Sequence, residues 1–142
     1  MSYVRNWLHC VWSTKGRTPV INASNKREIL NHILENAKSK GIYIRVINGG
    51  KEHIHCLLSL NPDQSLAKVI QLIKGESSFW INKNGLIKGK FEWASEYFAV
   101  SVSESQVKKV EAYILNQEEH HRKKSWDEEY AEFIRNYNFE KN

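Results

Sequence analysis

The chain has 142 residues, with 21 Lys and Arg against 16 Asp and Glu for a net charge of +5, and it is 41% hydrophobic with only two prolines and seven glycines. That length can bury a core without disulfides or a structural metal, and the composition excludes a disordered or collagen-like chain. No apolar run approaches a membrane span and Met1 to Arg5 leads into no signal-peptide core, so one soluble, cytoplasmic domain over residues 1–142 is expected.

The first element is WLHCVWST (7–14), rich in aromatic and β-type residues and closed by the Gly and Pro of KGRTP. Alternation sets Trp7, His9 and Val11 on one face and Leu8, Cys10 and Trp12 on the other; bulk on both faces marks a central strand. Residues 22–41 follow as a helix, with Asn22 or Ser24 as N-cap, Ile29, Leu30, Ile33, Leu34 and Ala37 at helical spacing, and Gly41 as the stop. IYIRVING (42–49) and EHIHCLLSL (52–60) surround Gly49-Gly50 and predict a β-hairpin. A second amphipathic helix spans 65–84 and a basic connector 85–93. A fourth strand spans 96–103, a third helix 103–124 and a fourth 126–138. Cys10 and Cys56 lie in hydrophobic stretches without CxxC spacing and read as buried, reduced thiols.

The order β-α-β-β-α-β-α predicts an α+β, ferredoxin-like or RRM-like antiparallel sheet, with helices on one face and an additional C-terminal helix. The opposite face is then open to a ligand. Such a frame hosts unrelated functions, and the excess of basic residues suits a polyanionic partner no better than a solvated surface does. The chemistry must come from particular residues.

His53 and His55 supply the first of it. Residues two apart in a strand point to the same side, so Ile54, Cys56 and Leu58 belong to one apolar face while His53 and His55 share the other. Two neighbouring imidazoles can converge on a divalent ion, but two ligands do not make a site. On the third helix, at about 100° per residue, Val107, Val110 and Ile114 form the buried stripe, and Tyr113, Gln117 and His120 lie at its edge. A tyrosine hydroxyl can act as a nucleophile and an amide oxygen can bind a hard cation, although both residues also suit an ordinary amphipathic helix.

His53-Ile54-His55 entering from a glycine turn, LIKGESS (72–78) in the second helix, WSTKGR (12–17), Trp93 with Tyr97 and Phe98, and YILNQ (113–117) together resemble the single-tyrosine HUH transposases of bacterial insertion sequences. The resemblance covers roughly residues 5–124, and HHRKKSWDEEYAEFIRNY looks like the subgroup related to the REP-associated tyrosine transposases. It implies a metal-dependent single-strand DNA endonuclease and strand-transferase acting on hairpins at element ends. His53, His55 and Gln117 would hold Mg²⁺ or Mn²⁺, and Tyr113 would form a 5′-phosphotyrosine intermediate. Family members are homodimers. Glu52 stands where the family usually has Asp, in a role beside the ligand, and His120 is the alternative or additional ligand. Lys15, Arg17, Lys74, Lys83, Lys88 and Lys90 are the candidate DNA contacts, each alone no different from solvated surface. Trp80 and Trp93 could stack bases or pack in the core, and His9 could approach the metal or simply pack. A non-catalytic or domesticated protein that binds single-stranded DNA or RNA at dispersed palindromes is the alternative function.

Overall fold

A computed structural model describes residues 2–117 and 124–136. Four strands, β1 (Trp7–Ser13), β2 (Tyr43–Gly49), β3 (His53–Ser59) and β4 (Phe98–Val102), form one antiparallel sheet in the order β2-β3-β1-β4. β1 is central, as its two bulky faces required, and lies between β3 and β4. The helices are α1 (Lys26–Ser39), α2 (Leu66–Lys83), α3 (Val107–Leu115) and α4 (Trp126–Asn136). α1 begins later than its polar preamble suggested. Asn22 caps a preceding turn instead, its carboxamide oxygen accepting from the backbone N–H groups of Ser24 and Asn25. α1 ends where expected, with Gly41 at φ +71° and the Ile42 N–H donating to the Ala37 carbonyl at 2.9 Å. Ser65 caps α2 by accepting from the Lys68 N–H.

The sheet sorts its side chains by parity. Cys10, Trp12, Ile54, Cys56 and Leu58 face α1 and α2 and close the main core with Ile29, Ile33, Val69, Ile70 and Ile73. Cys10 and Cys56 stand directly opposite each other on neighbouring strands, both thiols free and buried; burial pushes the Cys10 thiol up to about 12. The basic connector is more ordered than its glycines suggested. Asn82 holds Phe91 through two hydrogen bonds, and Ile87, Phe91 and Trp93 enter the same core.

The opposite sheet face is not open over its whole extent. Trp7, Val46 and Leu57 pack there against Val107 and Ile114 of α3, so α3 lies across the face from α1 and α2. The physical reason is the apolar stripe of α3, which needs an apolar partner; the only sheet face left by α1 and α2 supplies it. Among the described residues, no helix is long and apolar enough to cross a membrane.

Candidate active site

β3 delivers both histidines beneath α3, and each is completely buried. Gly49 is what allows His53 to enter there. A Cβ on Gly49 would lie 2.1 Å from the His53 carbonyl oxygen, so that the hairpin closes this tightly only around glycine. The Gly50 N–H donates to the same carbonyl at 3.1 Å. The neighbouring strand fixes the end of α3. Asn48, paired with His55 in the ladder, donates its amide to the carbonyls of Ile114 and Leu115, and Arg45 bonds Glu111 at 3.1 Å. These ties set Tyr113 and the buried Gln117 over the histidine pair.

His53 Nδ1 is 3.1 Å from Glu52 Oε1, and His53 Nε2 is 3.2 Å from Gln117 Oε1. The Gln117 amide cannot simply be turned over, because its Nε2 donates to the Tyr113 carbonyl at 3.3 Å. Protonated at Nε2, the His53 ring donates to the Gln117 amide oxygen; deprotonated there, the imidazole nitrogen and the amide oxygen can both turn to one cation, with Glu52 orienting the ring from behind.

His55 is held on both sides. Its Nδ1 lies 2.8 Å from His9 Nε2, and its Nε2 lies 3.0 Å from Glu129 Oε1 of α4. Burial, followed by the His55 charge, lowers the His9 imidazole to about 3, so His9 is a neutral partner. The Tyr113 hydroxyl donates to Glu129, and Trp126 stacks on His53 with ring centroids 4.0 Å apart and planes 4° from parallel. Burial first, and the Glu129 hydrogen bond second, hold the Tyr113 phenol well above its ordinary value. The phenol is therefore protonated in this arrangement, with its proton on the Glu129 hydrogen bond.

Tyr113, His53, His55, Gln117 and Glu52 thus converge, and His120 lies outside the described residues. Glu129 was not foreseen in this role, and His9, for which an approach to the site and plain packing were both open, lies against His55. His9 shares a face with the histidine pair once β1 is paired with β3. Glu129 shares one side of α4 with Trp126 and Tyr130 and is 4% exposed, unlike its exposed neighbours Asp127 and Glu128.

The basic residues divide. Lys15, Lys88 and Lys90 line one cleft of ≈ 250 Å³ between the turn after β1 and the connector, with Thr14, Ile87 and Phe91. Glu92 sits there too, its carboxyl held below the usual range by hydrogen bonds from Lys15 and Lys90. Lys74 is elsewhere, its ammonium 2.6 Å from the Ala94 carbonyl oxygen. Arg17 bonds Asp127 at 2.7 Å and covers the Tyr130 ring at 4.2 Å, and Lys83 lies near Phe79. Trp80 stacks on His32, and Trp93 is buried with its indole N–H donating to Ser77 at 2.9 Å, so both pack within the protein.

Comparison with known proteins bears on the family and the fold. The model of the family described as "Transposase IS200 like" matches residues 2–117. The ISDra2 transposase TnpA of Deinococcus radiodurans is 27% identical over 118 residues, covering 77% of this chain and 81% of the relative. A crystal structure described as that of a transposase from Deinococcus radiodurans R1 superposes with a TM-score of 0.65 at 23% identity, covering 82% of this chain and 95% of the other. A REP-associated tyrosine transposase bound to a REP hairpin superposes with a TM-score of 0.62 at 15% identity, over 89% of this chain and 73% of the other.

Proposed function

The chain belongs to the family of IS200-like transposases, and from that premise we infer that it is a metal-dependent single-strand DNA endonuclease and strand-transferase whose nucleophile is Tyr113. The observation that carries this reading is the convergence, on one buried patch of the sheet, of a tyrosine hydroxyl with two imidazoles and an amide oxygen aimed at one of them. The His55 and Tyr113 rings stand 5.7 Å apart, so a phosphate bound at the histidines would lie beside the phenol.

In the proposed reaction, Tyr113 Oη attacks phosphorus in line, the bond from phosphorus to the 3′ oxygen breaks, the phenolic proton leaves along its hydrogen bond to Glu129 and passes on to solvent, and the leaving 3′ oxygen takes up a proton from water. The products are a 5′-phosphotyrosine and a free 3′-OH. Attack of such a 3′-OH on a phosphotyrosine reverses the exchange and joins strands without ATP. His53, His55 and Gln117 would hold Mg²⁺ or Mn²⁺, with Glu52 and His9 orienting the two rings from behind. The ion would polarise the scissile phosphate and stabilise the charge that develops on it. Single-stranded DNA with hairpin ends is the proposed substrate, the likeness to a transposase solved with a REP hairpin supporting it. The cleft of Lys15, Lys88 and Lys90 would follow the strand's backbone. A homodimer is the proposed assembly.

The test is a covalent adduct on single-stranded DNA from the flanks of the gene, seen on a denaturing gel in Mn²⁺. Wild type should form it and Tyr113→Phe should not, while His53→Ala should lose cleavage. An adduct that survives Tyr113→Phe removes Tyr113 as the nucleophile. Salt-dependent, metal-independent binding with no strand ever cut would favour the non-catalytic module instead.

A further inference from the structure

We propose that Glu129, on α4, is a fourth protein ligand of the ion held by His53, His55 and Gln117; this rests on the reading of that cluster as a metal site. The family model ends at residue 117, so α4 and its carboxylate lie outside what the family match covers.

Three observations support it. His53, His55 and Glu129 each offer a donor atom, these atoms lie within 4.8 Å of one another, and all three residues are buried. Two donor separations are known individually, 3.0 Å from His55 Nε2 to Glu129 Oε1 and 3.2 Å from His53 Nε2 to Gln117 Oε1. Adjacent ligands on an ion with bonds of about 2.1–2.2 Å stand about 3 Å apart. Each of the two edges therefore has the spacing of neighbouring ligands. Finally, Trp126, one turn before Glu129, lies flat on His53, which sets α4 in register over both rings.

A buried carboxylate is costly unless it is paired or ligates a cation. Glu129 already has partners, the Tyr113 hydroxyl and His55 Nε2 at 3.0 Å, and with about four lone-pair sites a carboxylate can keep such contacts while it takes a cation. The chemistry of the set favours the same role. Two imidazoles and an amide leave the full charge of a divalent ion uncompensated, and a carboxylate at the same centre removes half of it.

The experiment measures Mn²⁺ binding by the full chain without DNA, by electron paramagnetic resonance of free Mn²⁺ and by calorimetry. Wild type should bind one ion, Glu129→Gln should bind it at least about tenfold more weakly, and His53→Ala should not bind it. Asp127→Asn, which removes an exposed charge from the same turn, should match wild type. If Glu129→Gln binds within twofold of wild type while His53→Ala is silent, Glu129 is not a ligand and the metal site stands without it. An equal loss in Asp127→Asn also overturns the inference, because the effect then belongs to the docking or charge of α4. A wild type that binds no divalent ion sinks both the inference and the metal reading beneath it. Should Glu129→Gln fail to fold by circular dichroism, a Mn²⁺-soaked crystal of wild type decides. A Glu129 oxygen about 2.2 Å from the ion supports ligation, and one beyond about 3 Å refutes it.

Discussion

Replacing Gly49 by alanine should damage the site through the backbone alone. The added methyl would stand 2.1 Å from the His53 carbonyl oxygen and 3.1 Å from both His53 C and Ile54 Cα. All three atoms are main chain, so no rotamer change relieves the clash. Reaching the 3.0 Å that real contacts respect requires the two strands to part by roughly 0.9 Å at His53. Overpacking of this kind costs about 1–3 kcal/mol. A displacement near 1 Å at a group that must meet a substrate can cost about 10²-fold in rate. Gly49 has no left-handed φ, so the effect is one of space and not of dihedral strain. Urea denaturation reads the first quantity, and Mn²⁺ affinity with the single-strand cleavage rate reads the second. Gly75→Ala is the control, since nothing lies within 4 Å of its added carbon and a glycine inside a helix should gain about 0.5–1 kcal/mol on becoming alanine. If Gly49→Ala keeps wild-type stability within about 0.5 kcal/mol, together with its metal affinity and cleavage rate, the close approach does not position His53 and the reasoning fails.

Lys74→Met should lower stability by about 1 kcal/mol, less than the ~1.5–3 of a fully buried charged hydrogen bond because the ammonium is half-exposed. It should leave the salt dependence of DNA binding unchanged, whereas a flatter slope would place Lys74 on a phosphate. Lys88→Ala with Lys90→Ala should do the reverse. Unfolding in urea should shift little, since both side chains are exposed. The slope of log affinity against log salt should fall by about 0.7 for each phosphate of a single strand that is no longer neutralised. An unchanged slope removes the cleft from the DNA path.

The elements of the fold were readable because each strand and helix carries its own period, and the central place of β1 followed from having bulk on both faces. The histidine pair was readable for the same reason, parity along one strand. For His9 an approach to the metal and plain packing both stayed open, because its contact with His55 depends on the register between β1 and β3, which one sequence does not contain. Glu129 was hidden by its neighbours. Asp127, Glu128 and Glu129 together look like the acidic first turn that suits any helix N-terminus. Its signal was position, one turn beyond Trp126 and beside Tyr130 on the side that packs inward. The unfilled half of the sheet was misjudged because α3 has an apolar stripe of its own, and a helix that must cover it takes whichever face remains.

The two cysteines give this architecture an internal gauge. Cys10 and Cys56 face each other across β1 and β3, the same pair of strands that carries His9, His53 and His55 on its reverse side. Their thiols are sealed from solvent beneath α1 and α2 and resist ionisation, so an alkylating reagent reaches them only when that helix layer lifts from the sheet or the sheet itself opens. Labelling rate therefore times the openings of the core that backs the very strands on which the site is mounted, and it does so without a dye, a mutation or a substrate.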